Sequence, residues 1–268
     1  MNLTSKVALI TGAGSGIGQA IALSLARRGC HLALVDINPR TLEQTHQQVQ
    51  ALGRRVTSYP LDVTSREGVN TLPAQVISDH GCLDLLVNNA GVAVGGTFGQ
   101  VSEVDFDWVM DVNFLAVVRM TRAFLPYLHQ RDEARLVYLS SIFGIVSPPE
   151  QSAYSASKFA VRGFANALRH ELENTPIGVT VVHPGGVATA IARNARVPSG
   201  TSLEIIRQKQ ALQEKMLRLP PEQAGEIIVK GIEQGRARVM VGTDARAIAW
   251  LERIMPVGYW QAMKKFLR

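Results

Sequence analysis

Tyr154 and Lys158 stand four residues apart within "SAYSASKFAVRGF", Ser152 to Phe164. On a helix this spacing puts a phenol and an ammonium on one face. A phenol with a reference pKa of about 10 is a poor base near neutral pH, and a neighbouring cation favours its ionised form. The pair alone also suits a tyrosine at a core boundary beside a solvated lysine, so other residues must decide. Upstream, "VALITGAGSGIGQAIALSLARRG" sets glycines between a strand-like run and an amphipathic helix. Gly12, Gly16 and Gly18 have GxxxGxG spacing, and Ile17 stands where a GxGxxG pattern would place its last glycine. Missing side chains let such a turn approach a pyrophosphate, whose charge meets the free N–H groups of the following helix. Asp36 ends the next strand-like run, where a carboxylate accepts hydrogen bonds from a ribose diol and repels a 2′-phosphate. With a neutral Ser15 in the turn, this favours NAD, and Arg40 nearby keeps NADP as the alternative.

These residues need a frame that brings them to one edge. Short apolar runs, "KVALIT", "HLALVDI", "RVTSYPLDV", "LDLLVNNAG", "ARLVYLSS", "GVTVVHPGG" and "ARVMVG", alternate with longer helical patterns. Near-continuous apolar strands separated by helices predict an α/β fold with a doubly wound parallel sheet. No linker interrupts the alternation, so residues 1–268 read as one domain. Residues 186–221 break the rhythm with a mostly helical insertion near strand ends, which predicts a cover over the binding crevice.

The chain carries a formal charge of +6, with 46% hydrophobic and 19% charged residues. Its basic residues are scattered without a dense run, which argues against a nucleic-acid site. Cys30 and Cys82 have no metal-ligand spacing and read as small apolar residues of a reducing compartment; no metal site is expected. The N-terminal "MNLTSKVALITG" enters a strand without an apolar leader, and no apolar stretch is long enough to span a bilayer, so the expectation is a cytoplasmic protein.

The order and separation of "TGAGSGIG", "NNAG" (Asn88 to Gly91), "DVNFLAV", "LSSIFG", "YSASK" and "HPGGVAT" resemble the short-chain dehydrogenase/reductase family over nearly the whole chain. The resemblance implies a nicotinamide-dependent oxidoreductase of Rossmann fold with a catalytic tetrad at Asn113, Ser141, Tyr154 and Lys158. Tyr154 would exchange the alcohol proton, Ser141 would hold the reacting oxygen, and Ser140 is the alternative within the serine pair. Asn113 would fix, through its backbone, a water linked to Lys158, and Lys158 would also bind the nicotinamide ribose. By the same resemblance the dinucleotide contacts Gly12, Ser15, Gly16, Ile17, Gly18, Asp36, Asp62, Val63, Asn88, Ala90 and Gly91. Asn88 could also brace the central strand. Pro184, Gly185, Val187 and Thr189 would grip the nicotinamide side, while His183 reads as a neutral, hydrogen-bonded strand-end residue without a catalytic role.

Membership does not name a substrate. Phe143 and Gln151, with Ser141 and Tyr154, are the expected substrate contacts. Gly95, Phe98, Ile142, Val146, Pro148, Pro149, Val187, Ile191 and Leu203 complete a largely apolar lining, which points to a medium-sized hydrophobic secondary alcohol or ketone, steroid-like or long-chain. Arg193 and Arg196 are the cations that could clamp an anionic group. The segment 244–268 shows two apolar stripes, Ala247, Trp250, Leu251 and Ile254, then Tyr259, Trp260, Met263 and Phe266, with Lys264, Lys265 and Arg268 alongside. Three readings stay open, in falling order: docking on its own or a neighbouring subunit, a flap over the site, and a basic amphipathic helix touching a membrane surface. The resemblance further implies a homodimer or homotetramer through the helices over Glu103 to His129 and Ser152 to Glu173. A protein that binds the dinucleotide without chemistry is the remaining alternative, and the intact tetrad argues against it.

Overall fold

The computed structural model describes residues 1–267, with side chains described except at 203, 209, 210, 212–214 and 265–267. Leu203, Lys265, Phe266 and Arg268 therefore lie outside the described side chains. Seven strands form one parallel sheet: β1 Val7–Thr11, β2 His31–Asp36, β3 Val56–Pro60, β4 Leu85–Asn88, β5 Ala134–Leu139, β6 Ile177–Pro184 and β7 Arg238–Val241. Their order in the sheet is β3-β2-β1-β4-β5-β6-β7. The chain winds outward from β1 to β3, then returns across β1 to start the other half at β4. This reversal opens a crevice at the C-terminal ends of β1 and β4, where the sequence places the glycine turn and "NNAG".

Both sheet faces are covered, which explains the near-continuous apolar strands. Helices α1 (Gly16–Arg27), α2 (Pro39–Ala51) and α8 (Pro221–Glu233) cover one face, burying Ile10, Leu34, Val87 and Val137 beneath Ile21, Leu42 and Ile228. On the other face lie α3 (Arg66–His80), α5 (Ala116–Leu128) and α6 (Ser152–Glu171), over Leu9, Val35, Leu86, Leu136 and Tyr138. Complete burial of one such side chain stabilises by roughly 1.5–3 kcal/mol. Helix α4 (Glu103–Met110) runs through a π-helical turn, Asp111–Leu115, into α5. A widened turn of this kind inside an α-helix often marks a functional site, and here it contains Asn113.

Residues 186–221 contain α7 (Leu203–Met216), preceded by turns and followed by Leu219, whose backbone pairs with that of Val187. The C-terminal segment forms α9 (Thr243–Ile254) and α10 (Tyr259–Leu267). It docks on its own subunit: Ala245, Ile248, Ala249 and Tyr259 cluster with Ile142, Ile145 and Val146. The buried face of α9 is therefore not the predicted stripe, since Trp250 and Ile254 are 66% and 71% exposed. The small Ala245 and Ala249 allow the close approach that a tryptophan would block. Among the described residues no helix is long and apolar enough to cross a membrane.

Candidate active site

The first wall of the crevice is made by backbone. Gly12 and Gly16 adopt φ of 66° and 56°, which side-chain-bearing residues rarely take. A Cβ on Gly18 would lie 2.0 Å from the Gly12 carbonyl oxygen, so only glycine lets α1 begin this close to the turn. Ser15 stands at the N-cap of α1 with no side-chain bond to the helix, leaving the first N–H groups of α1 uncapped by it. Ile17 packs beneath the turn against the α1–α8 core.

Asp36 closes this wall. Its carboxylate accepts from Gly14 N–H at 2.8 Å and from Asn38 N–H at 2.9 Å, so besides its expected role toward a ribose it holds the glycine turn in place. Asp62 accepts from the N–H and hydroxyl of Thr64, and Val63 is buried behind it. Bracing of the central strand falls to Asn89 and not to Asn88. The Asn89 amide donates to the carbonyls of Thr11 and Gly12, and the Thr11 hydroxyl accepts from the N–H groups of Asn89 and Ala90. Asn88 turns to the opposite face of β4, as strand alternation requires. Its amide is 3% exposed and has no hydrogen-bond partner, lining a small void with Val63, Ala90 and Val112. An unpaired buried amide costs roughly 1–3 kcal/mol.

The second wall is made by side chains from three separate elements. Ser141, just past the end of β5, caps the short 3₁₀ turn Ile142–Gly144 by accepting from Phe143 N–H at 3.1 Å, and its hydroxyl acts on the Tyr154 phenol to lower its pKa. Ser140 faces the other way, donating to the Lys158 carbonyl at 2.9 Å, so Ser141 alone of the pair faces the phenol. The Phe143 ring meets the Tyr154 ring edge to face at 6.2 Å. Lys158 is 3% exposed; its ammonium lies 5.6 Å from the Tyr154 ring centre and donates to the Leu139 carbonyl at 3.0 Å. Burial lowers the Lys158 pKa to about 8. Burial also raises the Tyr154 phenol above its ordinary range, while the Ser141 hydroxyl works against that rise. Burial and the Ser141 hydroxyl thus act on the phenol in opposite directions, with burial the larger.

Asn113 ties the walls together. Its amide oxygen accepts from Val92 N–H at 2.8 Å, and its nitrogen donates to the Val92 carbonyl and to Ser157 Oγ. Ser157 in turn donates to the Tyr154 carbonyl at 2.7 Å. Gly91 sits between, where an added Cβ would lie 3.3 Å from Asn113 Oδ1 and 3.4 Å from Lys158 Nζ. Ser157 went unnoticed in the sequence because its role runs through a partner 44 positions away.

From Pro184 at the end of β6, Gly185, Val187 and Thr189 follow as a tight turn, with Thr189 N–H donating to the Val187 carbonyl at 2.8 Å. The Thr189 methyl would lie 3.1 Å from a Cβ on Gly16, so this turn and the glycine turn meet across the crevice. Two residues missed in the sequence hold it: Asp244 of α9 accepts from Gly186 N–H at 2.6 Å, and Leu219 pairs with the backbones of Gly186 and Ala188. His183 lies beneath, 1% exposed, donating from Nδ1 to the Ser141 carbonyl at 3.0 Å; burial lowers its pKa to about 4. It is the neutral strand-end residue expected.

The expected substrate lining divides. Phe143 and Gln151 lie beside Tyr154 in sequence or space, but Ile142 and Val146 face the C-terminal helices. Arg196 is not a free clamp, since it pairs with Asp105 at 2.8 Å and stacks over Trp108 at 3.6 Å. No group of three metal-ligating side chains occurs among the described residues.

A family model described as short chain dehydrogenase matches residues 6–199. The chain is 44% identical over 260 residues to SadH, described as an oxidoreductase of Mycobacterium tuberculosis, covering 95% of this chain and 92% of that protein. Among solved structures, a short-chain dehydrogenase/reductase from Burkholderia phymatum in complex with NAD aligns with a TM-score of 0.87, 30% identity and 95% coverage of each chain. An alcohol dehydrogenase from Thermococcus sibiricus, complexed with 5-hydroxy-NADP, aligns with a TM-score of 0.75 and 29% identity, covering 89% of this chain and 95% of that one.

Proposed function

The chain belongs to the short-chain dehydrogenase/reductase family, and from that premise we propose that it is an NAD(H)-dependent enzyme interconverting a medium-sized hydrophobic secondary alcohol and its ketone. The carrying observation is the meeting of Ser141, Tyr154 and Lys158 beside the uncapped glycine turn. The residues fit a dinucleotide: the turn excludes side chains at Gly12 and Gly18, and Asp36 stands at its rim. Gly12 to Gly18 would hold its phosphates, Asp36 its adenosine ribose, Asp62, Val63 and Ala90 its adenine, and Pro184 to Thr189 its nicotinamide side. Bound there, the group supplies the hydride carrier and, when oxidised, a positive ring.

Tyr154 exchanges the proton with the substrate oxygen, as acid for a ketone and base for an alcohol. Ser141 donates to the same oxygen and keeps it within reach of the phenol. Lys158, held by the Leu139 carbonyl, places its charge by the Tyr154 ring and favours ionisation when the alcohol must be deprotonated. Asn113 fixes the Gly91–Val92 turn and, through Ser157, the backbone of Tyr154. The apolar substrate class is supported by Phe143 against Tyr154 and by the engagement of Arg196 elsewhere. Residues 186–221 then act as the cover of the crevice. Exposed Leu115 and Phe159 on the α5 and α6 side support pairing into a homodimer or homotetramer.

The test is a fluorescence titration with NADH and NADPH on the wild type and Asp36→Ala, followed by oxidation assays on secondary alcohols of increasing apolar size. NADH should bind more tightly, and Asp36→Ala should narrow the NADH/NADPH ratio. Because Asp36 also holds Gly14, equal weakening for both nucleotides would mean that it only braces the turn. Tighter NADPH binding by the wild type would favour a carbonyl reductase, and binding of neither would end the proposal.

A further inference from the structure

Behind the active site, on the far side of His183, three arginines share a cavity of about 300 Å³. Arg162, Asn166, Arg169 and His170 line it from α6, at the i, i+4, i+7 and i+8 spacing of one helix face. His183 lines it from β6, and Arg238 from the edge strand β7, directly opposite Val181 in the sheet register. No acidic side chain lines it.

Three guanidinium groups around one space repel each other unless something between them is negative. Local hydrogen bonds consume little of their capacity. Arg162 gives one N–H to the Gly144 carbonyl, and Arg169 donates to the carbonyls of Ala237 and Val179. Each guanidinium carries five N–H donors, so most remain available. The Arg238 guanidinium makes no hydrogen bond among the described residues, and the carboxylate acting on it is Glu252 of α9, opposed by Arg253 of the same helix. Burial is the main cause that lowers the pKa of Arg238 and of His183, with Arg162 adding to the first and both arginines adding to the second.

We propose that this cavity is a binding site for the phosphate group of a small phosphoester. The planar fork of a guanidinium matches phosphate oxygens in pairs, and three forks with the Asn166 amide can surround a tetrahedral dianion. The volume is at the lower end of ligand pockets, which suits a phosphate with a short organic remainder. The site is separate from the glycine turn, at the other end of α6 from Tyr154, yet it touches the active site through His183, whose Nδ1–H holds the Ser141 carbonyl.

The experiment titrates the full chain, saturated with NADH so that the glycine turn is occupied, with inorganic phosphate and then with glycerol phosphate at constant ionic strength. Calorimetry and thermal unfolding are the readouts. Saturable binding of one phosphate per chain is expected, weakened tenfold or more in Arg238→Gln and in Arg162→Gln and unchanged in Arg54→Gln, a surface control on the α2–β3 turn. Tighter binding of glycerol phosphate would identify an ester as the ligand, and equal binding would identify free phosphate as the occupant. A linear, unsaturated response, or an equal loss in Arg54→Gln, would show an adventitious ion only and overturn the site. If NADH itself fails to bind, the Arg238→Gln comparison still decides this site independently.

Discussion

The two walls of the crevice are built on opposite principles. The glycine turn works by absence: close approach of Gly12, Gly18 and Asn89 leaves N–H groups pointing outward, and nearly every contact is within one strand–turn–helix unit or its immediate neighbour. The side-chain wall works by presence, with Ser141, Tyr154, Lys158 and Asn113 drawn from the turn after β5, α6 and a π-turn and held by largely buried hydrogen bonds. Apart from Asp36 at its rim, the glycine turn has no side chain to lose, but any added atom displaces it. A wall of side chains can lose a reactive atom and keep its shape. Substitutions at the two should therefore separate binding and folding from chemistry.

The largest effect is expected at the second wall. Tyr154→Phe removes the hydroxyl proposed to exchange the proton and leaves the ring against Phe143, so kcat should fall on the order of 10²–10⁴-fold while NADH affinity stays within a few-fold. Steady-state rates and fluorescence titration on one preparation check both. A comparable loss of NADH affinity would mean that the walls are not separable.

The converse test is Gly18→Ala. Its methyl would meet the Gly12 carbonyl at 2.0 Å and the Asn89 amide at 2.5 Å, so α1 must move away from the turn. Overpacking of this kind costs roughly 1–3 kcal/mol, and NADH binding should weaken at least tenfold as the N–H groups lose alignment. Thermal unfolding and nucleotide titration should both change, unlike in Tyr154→Phe. Unchanged binding would show that the turn can give way locally.

The same distinction decides what could be read from residue order. The alternating strands and the glycine turn are legible because their causes are local: apolar runs, the spacing of three glycines, a carboxylate at the end of the next strand. The tetrad positions are legible through a family pattern, yet what holds them is not. Ser157, Asn89, Asp244 and Tyr259 gain their roles from partners far along the chain, and their residue types are ordinary. The assignment of bracing to Asn88 instead of Asn89 shows the limit. Two adjacent asparagines are equivalent until strand alternation sends one to each face.

His183, beneath the side-chain wall, gives it a pH signature. Its folded pKa of about 4 lies below the ordinary 6.5, so the unfolded chain binds the extra proton first as pH falls. Stability attached to the neutral ring is complete above pH 6.5 and is lost as pH falls from about 6.5 toward about 4, by up to roughly 3 kcal/mol. His183→Gln keeps an N–H donor for the Ser141 carbonyl and removes the titration. Its unfolding temperature should fall less steeply between pH 6.5 and pH 4 than that of the wild type, and parallel slopes would refute the assignment.

The smallest effect is expected where the C-terminal helices meet the side-chain wall. The Tyr259 hydroxyl accepts from Ser147 N–H at 2.9 Å, and its ring packs with Ile142 and Val146, one turn beyond Ser141. Tyr259→Phe removes the acceptor and keeps the ring. Ser147 is exposed, so water can replace the lost partner and the stability change should be about 1 kcal/mol or less. If α10 only fills space, rates will not change. If it holds the Ser141–Pro149 turn in register with Tyr154, KM should rise several-fold with kcat nearly constant, because substrate contacts shift while the phenol, Ser141 and Lys158 stay in place. A fall in kcat without a change in KM would instead place α10 among the elements that set the approach of Ser141 to Tyr154, and would tie the C-terminal segment to the chemistry itself.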